Sequence, residues 1–267
     1  MTPLRAAAPD YRGSGRDYTP HELMVVAAAR EIADGEVVFV GMRLPLLAFG
    51  LAKRTHAPSA IGLFENGLVR DHVPPPDLYT MSDAPNIVEA AWATGLLDVM
   101  QLLQHGDVDL GFIGGAEIDR HGNINTSVIG SPDRPVVKLP GSGGGADIAC
   151  LAKRLVALME HEPRRLRERV DFVTSPGFGD GGDWRRSHGL VRGGPSAVIT
   201  TLGVLRFDPA DSEAYLASYH PFTTPREVQD ATGWPLRLAE DCAPTRAPSD
   251  DELRLIREAD PHGFWTR

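Results

Sequence analysis

The feature that most constrains the fold of this chain is a regular alternation of short apolar strands and helices. Glu36 to Val40 is a short apolar run, a helical segment covers about Leu44 to Lys53, and Ala60 to Phe64 is a second apolar run. Strands that alternate with helices favour a parallel sheet with helices packed on its faces. The sequence therefore predicts the α/β class, with an open, mostly parallel sheet and helices on both faces.

Capping boxes mark the predicted starts of three helices. The segment Thr19-Pro20-His21-Glu22 predicts a helix that runs to about Ala33, and Thr224-Pro225-Arg226-Glu227 and Ser249-Asp250-Asp251-Glu252 predict two short ones. Residues 1–18 are rich in Gly, Arg and Pro, which is typical of a flexible N-terminal arm. Because no internal repeat and no linker is visible, residues 19–267 are interpreted as a single α/β domain.

The middle of the chain continues the alternation less regularly. The periodicity predicts a helix over Asn86 to Gln104, a strand over Val108 to Gly114 and a helix over Ala146 to Glu160. Two further strands are predicted over Val170 to Thr174 and over Ala197 to Leu205. These elements extend the predicted sheet beyond the first two strands.

Composition excludes several classes of protein. The 36 acidic and 27 basic residues give a formal charge of −9, which argues against a nucleic-acid binder. Cys150 and Cys242 are too few for a disulfide framework and lie outside any metal-binding spacing, so we expect free thiols and no metal. No run approaches the roughly 18 apolar residues of a membrane span, and no secretory signal is visible, so we expect a cytoplasmic protein.

Glu65 is the first candidate for chemistry. It directly follows the apolar run Ala60 to Phe64 and precedes Asn66-Gly67. Ligands of open α/β sheets bind beyond the carboxyl ends of the strands, where a partly desolvated carboxylate is a better nucleophile or base. The alternative is a solvated acid beside a turn, and spacing favours that interpretation.

Two polar or glycine-rich segments are further candidates. The run Gly141-Ser142-Gly143-Gly144-Gly145 offers successive backbone N–H groups that can bind an oxyanion, with a flexible connection as the alternative. The segment His121 to Ser127, which includes Asn125, offers polar groups for recognition, although a tight turn with Asx hydrogen bonds would have the same sequence. The basic cluster Arg164 to Arg167, with Lys153 and Arg154, is interpreted as a solvated helix face.

Taken together, these segments resemble the B (beta) subunits of class I CoA-transferases, and most of all the glutaconate CoA-transferase type. The resemblance spans nearly the whole chain after Tyr18, as ordered matches over about two hundred residues. The matching segments are Gly41-Met42-Arg43-Leu44-Pro45, Ala52-Lys53-Arg54, Glu65-Asn66-Gly67, Phe112 to Asp119 with Gly122 to Asn125, Gly141 to Gly144, Val173 to Gly177 and Gly203 to Phe207. Phe64 departs from the small or polar residue that is common before the glutamate.

The resemblance implies a function and roles for residues. Glu65 would attack an acyl-CoA and carry CoA as a glutamyl thioester, for transfer to a small acid, with dicarboxylic acids among the candidates. Gly143, Gly144 and Gly145 would form the oxyanion loop, and Asn66 and Asn125 would contribute substrate-binding side chains. No cofactor would stay bound, because the CoA thioester is a substrate.

The resemblance also implies a partner, an A (alpha) subunit of related fold, in a heterotetramer or a larger assembly. We expect exposed apolar surface for that partner. The CoA phosphates would be bound by the partner, by backbone amides or by local side chains such as Lys53 and Arg54. Two alternatives to transfer stay open: an acyl-CoA decarboxylase or ring-opening hydrolase with Glu65 as general base, and a structural subunit whose partner holds the whole site.

Overall fold

A ten-stranded sheet organises the computed structural model of this chain, which describes residues 17–190 and 192–267. Most of the predicted N-terminal arm, residues 1–16, lies outside the described residues. The described strands are β1 (Val37–Phe39), β2 (Ile61–Phe64), β3 (Leu68–Arg70), β4 (Trp92–Ala93), β5 (Leu110–Ile113), β6 (Glu117–Asp119), β7 (Ile124–Asn125), β8 (Val128–Ser131), β9 (Arg134–Lys138), β10 (Arg154–Met159), β11 (Leu166–Arg167), β12 (Pro195–Thr200), β13 (Gly203–Phe207), β14 (Ala214–Tyr219) and β15 (Arg237–Pro244).

Helices connect most of these strands. They are α1 (Pro20–Ala29), α2 (Leu44–Arg54), α3 (Leu96–His105), α4 (Gly145–Leu151), α5 (Trp184–Ser187), α6 (Pro225–Asp230) and α7 (Asp250–Ala259), together with a 3₁₀ helix (Ala84–Ile87). Within the described ranges, none of the helices has the length and apolar character needed to cross a membrane.

The strand order of the large sheet is β15-β14-β13-β12-β10-β5-β1-β2-β3-β4. Its centre, from β12 to β2, is parallel. Antiparallel pairs extend it through β13 and β14 on one side and through β3 and β4 on the other, and β15 pairs with β14 in parallel at the edge. Two small sheets, β11-β6-β7 and β8-β9, lie outside it. The predicted α/β class with a mostly parallel sheet is therefore confirmed.

Apolar side chains cover both faces of the central strands. Val38 and Val40 pack into one core with α1, α2 and α7, whereas Phe39, between them in sequence, packs into a second core with α3 and α4. Successive side chains of a strand point to opposite faces, so a strand that is buried on both sides is apolar throughout. This two-sided burial explains the continuous apolar runs of the sequence.

All three capping boxes form as predicted. At α1, the Glu22 N–H donates to Thr19 Oγ1 at 3.1 Å and the Thr19 N–H donates to Glu22 Oε2 at 2.8 Å. The helix ends at Ala29, earlier than the predicted Ala33. The following turn is tightened by hydrogen bonds three residues apart, from Glu31 to Ala28 and from Ile32 to Ala29, which end the α-helical pattern.

The predicted helix over Ala146 to Glu160 is wrong in its second half. The helix ends at Leu151, and Arg154–Met159 forms β10, a central strand between β5 and β12. Leu155 to Met159 is buried without interruption, which removes the alternation that would distinguish a strand. The sequence pattern therefore did not distinguish a short helix followed by a buried strand from one longer helix.

Three other predictions need correction. The first half of the helix predicted over Asn86 to Gln104 is instead the end of the 3₁₀ helix, followed by β4, and α3 begins only at Leu96 after the N-cap Gly95. Val170 to Thr174 forms no strand; the only described pairing nearby is an isolated bridge between Ser175 and Ile124. The strand predicted over Ala197 to Leu205 is a hairpin of β12 and β13, because the Thr200 hydroxyl accepts the Gly203 N–H at 3.1 Å and turns the chain.

The basic cluster is not a helix face. Arg164 to Arg167 lie in a loop and in β11, and Glu162 accepts from Arg164 Nε at 2.5 Å. Lys153 and Arg154 flank the start of β10 and pair with Asp109 at 2.7 Å and Glu36 at 2.6 Å. The charges thus lie in local ion pairs on strands and loops.

Two buried histidines, His161 and His220, lie just after β10 and β14 and contact Thr200 at the end of β12. His161 Nδ1 is 2.8 Å from Thr200 Oγ1, and its Nε2 is 2.9 Å from Thr232 Oγ1. His220 Nε2 donates to the Thr200 carbonyl at 2.8 Å. Burial lowers the pKa of both rings to about 4, because the charged form would be desolvated.

This pair predicts a loss of stability in mild acid. The unfolded histidines protonate near pH 6.5, so the free energy of unfolding should fall as the pH drops from 6.5 to 4, by about 3 kcal/mol for each ring. Urea unfolding at several pH values across this range measures that free energy. Its decrease with falling pH should be smaller for the double variant His161→Gln/His220→Gln than for the unmodified chain. The exposed His262→Gln is the control, and equal slopes in all three proteins would contradict the prediction.

Candidate active site

Glu65 occupies a fixed turn at the carboxyl end of β2. The Gly67 N–H donates to the Phe64 carbonyl at 2.9 Å and closes the turn into β3. Gly67 has φ +97°, and a Cβ there would lie 2.2 Å from the Thr94 carbonyl oxygen, so only glycine fits. Phe64 is fully buried, edge-on to Phe49, with ring centroids 6.4 Å apart. Packing before Glu65 and turn geometry after it thus define where its carboxylate lies.

The glycine-rich loop meets this carboxylate directly. The Gly144 N–H donates to Glu65 Oε1 at 3.0 Å. A Cβ on Gly144 would lie 3.3 Å from Glu65 Cδ, and one on Gly143 would lie 3.4 Å from Oε1. Gly145 points elsewhere, toward the Ser175 hydroxyl at 3.2 Å from its Cβ position. The structure therefore brings together Glu65, Gly143 and Gly144, which the sequence identified separately.

Hydrogen bonds hold the loop over Glu65. The Gly141 N–H donates to the Thr126 carbonyl at 2.8 Å. Ser142 accepts twice, from the Gly145 N–H at its carbonyl (2.9 Å) and from the Ala146 N–H at its hydroxyl (3.1 Å), and so satisfies two N–H groups in the first turn of α4. The loop is anchored at both ends, so its N–H groups keep a defined direction.

Asn66 anchors a neighbouring segment. Its Nδ2 donates to the Met81 carbonyl at 3.0 Å, and its Oδ1 is buried without a partner among the described residues. Met81 lines the cavity that contains Glu65. One amide hydrogen bond of Asn66 is thus already used to hold Met81 beside the carboxylate.

The side chain of Asn125 is fully occupied within the chain. Its Nδ2 donates to Glu117 Oε2 at 2.7 Å and to the Val128 carbonyl at 2.6 Å. Its Oδ1 accepts from the N–H groups of Ser127 at 3.0 Å and Val128 at 3.3 Å. Because an amide makes about four hydrogen bonds in total, none is left for a ligand. The predicted substrate-binding role of Asn125 is corrected to a structural one.

The rest of this polar segment is also a structural network. Asp119 accepts from the backbone of His121 and Asn123, each at 3.0 Å, as an Asx turn does. Asn123 Oδ1 in turn accepts from the Gly177 and Gly179 N–H groups. Burial raises the pKa of Asp119 despite these bonds. Asp119 and Asn123 therefore hold the backbone of the segment that leads to Thr126, which lines the cavity of Glu65.

A cavity of about 230 Å³ lies in front of Glu65, at the carboxyl ends of β1, β2 and β5. Two of its lining residues belong to segments that the sequence had indicated, Thr126 to the segment His121 to Ser127 and Ser175 to the segment Val173 to Gly177, whereas Met81 was missed. Thr126 Oγ1 is buried and lacks a partner among the described residues. Met81 lies in a segment without a recognisable motif, so no sequence signal pointed to it. The cavity is lined by Phe39, Val40, Gly41, Met42, Glu65, Met81, Phe112, Ile113, Gly114, Thr126, Ser142, Gly145, Ile148 and Ser175.

A larger cavity of about 830 Å³ adjoins the first and shares six lining residues with it, Gly41, Met42, Phe112, Ile113, Gly114 and Thr126. Its far wall includes Trp265 and Arg267 from the end of the chain and His21 from the start of α1. Asp260 holds that end in place by accepting from Phe264, Trp265 and Thr266 N–H groups at 2.7 to 3.1 Å.

Arg43 forms the edge of the larger cavity in an unusual conformation. Its φ of 66° and ψ of −122° match the first central residue of a type II′ turn, where glycine is preferred. Such a backbone costs about 1–3 kcal/mol for a residue with a side chain. The guanidinium lies over the Trp265 ring, 5.1 Å from its centroid. The side chain is thus held by an aromatic face.

Lys53 and Arg54 do not serve as free cations. Lys53 is buried and donates to the carbonyls of Pro58 and, at 2.9 Å, Ala60, and burial lowers its pKa. Arg54 pairs with Glu258 at 2.5 Å. The expectation that Lys53 binds a CoA phosphate is therefore wrong, since its ammonium is satisfied inside the chain.

Comparison with known proteins identifies relatives of this chain. Residues 21–231 match the family model described as coenzyme A transferase. The chain is 37% identical to the B subunit of 3-oxoadipate CoA-transferase from Pseudomonas knackmussii, over 90% of this chain and 92% of that protein. It is 36% identical to the B subunit of glutaconate CoA-transferase from Acidaminococcus fermentans, over 91% and 92%. The crystal structure of glutaconate CoA-transferase from A. fermentans superposes with a TM-score of 0.88 at 33% identity, covering 94% of this chain and 98% of the other.

The Asn125 network predicts a large effect of an isosteric change. Asn125→Asp would place a second carboxylate 2.7 Å from Glu117, which is 1% exposed, and would remove both donors. The free energy of unfolding at pH 7 should fall by about 3 kcal/mol, because two buried carboxylates would face each other without a donor. Urea unfolding measures this, with the exposed Gln101→Glu as control. A change under about 0.5 kcal/mol would contradict the structural role.

Proposed function

The chain belongs to the coenzyme A transferase family, and on that premise we propose that it is the B subunit of a two-subunit CoA-transferase that uses Glu65 as its nucleophile. The reaction would move CoA between an acyl-CoA and a small carboxylic acid. The single observation that carries the proposal is the 3.0 Å hydrogen bond from the Gly144 N–H to the Glu65 carboxylate at the carboxyl end of β2. This contact joins a nucleophile to an oxyanion donor in one site.

The first half of the proposed reaction is an attack by one Glu65 oxygen on the thioester carbonyl carbon of the acyl-CoA. The C–S bond then breaks, CoA leaves as a thiolate, and an acyl-glutamyl anhydride remains. The thiolate next attacks the Glu65 carbonyl carbon and releases the acyl group as a free carboxylate. The product is a glutamyl-CoA thioester, which the acceptor acid converts back through the same steps. A carboxylate suits this role because each acyl derivative keeps the free energy of the thioester.

The backbone N–H of Gly144 would serve a second purpose in these steps. Each attack on the Glu65 carbonyl carbon turns its oxygen into an oxyanion, and the Gly144 N–H already lies 3.0 Å from Glu65 Oε1. A preorganised donor at 2.7–3.1 Å from such an oxygen typically contributes about 3–4 kcal/mol. Gly143 lets the backbone come close to the carboxylate, since a Cβ there would lie 3.4 Å from Glu65 Oε1.

The proposed partner is an A subunit, in a heterotetramer or larger assembly, because the similar CoA-transferase chains are named as B subunits. The chain exposes large apolar side chains that a partner could cover. Val136 is 80% exposed and Leu97 73%, and Ile87, Val88 and Trp92 are also exposed. The CoA thioester enters as a substrate, and no bound cofactor is part of the proposal.

Removal of the nucleophile gives the first test. In the complex with the A subunit, Glu65→Gln should lower transfer by about 10³-fold or more, because the amide cannot form the anhydride. Borohydride added together with acyl-CoA should inactivate the unmodified complex irreversibly, by reducing the glutamyl thioester, and should leave position 65 of Glu65→Gln unmodified. The exposed Glu240→Gln is the matched control. Full activity of an assembled Glu65→Gln complex would support a structural subunit instead.

The same assay distinguishes transfer from the alternative chemistry. Transfer requires an acceptor acid, whereas a decarboxylase releases CO₂ and a hydrolase consumes the thioester without one. Turnover that is independent of acceptor acid, with no trapped thioester, would therefore contradict the proposal and favour Glu65 as a general base.

The Gly144 contact gives a second test. Gly144→Ala adds a methyl group 3.3 Å from Glu65 Cδ and 3.4 Å from Met100 Cε, while the backbone φ of −77° tolerates alanine. Transfer should fall about 10- to 100-fold through a displaced carboxylate, with little change in melting temperature. Gly95→Ala is the matched control, because Gly95 is also an N-cap with negative φ and its Cβ would meet nothing closer than 3.7 Å. Equal activity of the two variants would contradict the proposed role.

A further inference from the structure

We propose that Arg43 determines the acid specificity of this site by binding a second, remote carboxylate on the acyl group. The inference rests on the proposed function of Glu65 and concerns which acids the site accepts. Three independent observations support it: a strained backbone, a guanidinium without a carboxylate partner among the described residues, and a position in the cavity that joins the Glu65 site.

The backbone at Arg43 is the first observation. Its φ of 66° and ψ of −122° favour glycine, yet the residue carries a long cationic side chain. Strained residues persist where the surrounding structure enforces them, and an observed outlier of this kind points to a functional site. The side chain supplies no cap to helix α2, which starts at the next residue. Neither the backbone conformation nor the start of helix α2 thus gives a reason for an arginine here.

The environment of the guanidinium is the second observation. Elsewhere along the same cavity Arg165 is paired, with Glu162 at 3.2 Å. Among the residues that the structure describes, Arg43 has no acidic partner, and its guanidinium contacts the Trp265 ring at 5.1 Å. A guanidinium that lies over an aromatic face can still use its N–H groups to bind a carboxylate through two parallel bonds.

The cavity is the third observation. Arg43 lines the cavity of about 830 Å³ that shares six residues with the Glu65 cavity, among them Met42 and Phe112. Both of these residues are apolar and line both cavities. The charged residues that line this space are Arg43, Arg165, Arg267 and a single acid, Glu160, which His21 contacts at 2.7 Å. A locally cationic cavity in a chain of net charge −9 suits an acyl chain whose far end is anionic.

A phosphate of CoA has the same anionic chemistry and is the alternative occupant of Arg43. The test therefore varies both the acceptor acid and the thioester donor. Two acids of equal chain length, one dicarboxylic and one monocarboxylic, are compared as acceptors, first with acyl-CoA and then with acyl-pantetheine, which lacks the phosphates. The variants, assayed in the complex with the A subunit, are Arg43→Gly, Arg43→Lys and, as control, Arg226→Gln, whose native side chain is 91% exposed.

Arg43→Gly should lower kcat/KM for the dicarboxylic acid by about 10- to 100-fold and for the monocarboxylic acid by less than about threefold, with either thioester. Arg43→Lys should recover only part of the loss, because an ammonium cannot bind a carboxylate through two parallel bonds. The melting temperature of Arg43→Gly should stay equal or rise by about 2–4 °C, because the backbone strain is relieved. Folding failure would thus not explain the loss of activity.

Equal losses for both acids, or a loss that disappears with acyl-pantetheine, would overturn the inference and assign Arg43 to a CoA phosphate. No effect on either acid would overturn it as well. Borohydride trapping of Glu65 distinguishes failure of this inference from failure of the proposed function. If Glu65 of Arg43→Gly is still trapped, the nucleophile is intact, and the measured acid specificity alone decides the role of Arg43. Absence of trapping in the unmodified complex would instead contradict the proposed function itself.

Discussion

The contact between the Gly144 N–H and the Glu65 carboxylate is the interaction on which the candidate site depends. It joins two segments separated by 79 residues, and each needs its own support to meet the other. Glu65 is fixed by the buried Phe64 and by the glycine-only turn at Gly67. The loop is fixed by Thr126, which directly follows the Asn125 network in the chain. The carboxylate can meet this one donor only because both backbones are held.

How much of this arrangement could be predicted depended on whether an element has a local signature. The capping boxes at Thr19, Thr224 and Ser249 form as predicted because a side chain and a backbone three residues apart settle them. β10 could not be predicted, because its uninterrupted burial comes from β5 and β12, which are distant in sequence. The secondary structure of this segment is determined by its neighbours in the sheet and not by a local sequence pattern.

The candidate site shows the same division. The sequence pointed to Glu65 because it directly follows an apolar strand, and to the glycines because they form a continuous run. The structure brings Glu65, Gly143 and Gly144 together. Asn125 was misassigned because a polar side chain in a sequence does not show how many of its hydrogen bonds are already used. Lys53 was misassigned for the same reason, since its ammonium is satisfied by backbone carbonyls. Whether a polar group already has its hydrogen-bond partners depends on the folded structure and cannot be read from the sequence.

The two extremes of the described chain meet at the wall of the larger cavity. Thr19 donates through its hydroxyl to the Thr266 carbonyl at 2.5 Å, and Asp260 fixes the neighbouring Trp265 against Arg43. Glu65, in contrast, lies on the central sheet. Substitutions in the last few residues can therefore reshape the cavity without disturbing the sheet that carries Glu65. A chain built in this way lets selectivity change while the reacting groups stay in place, and trimming its tail for an expression experiment would alter the pocket.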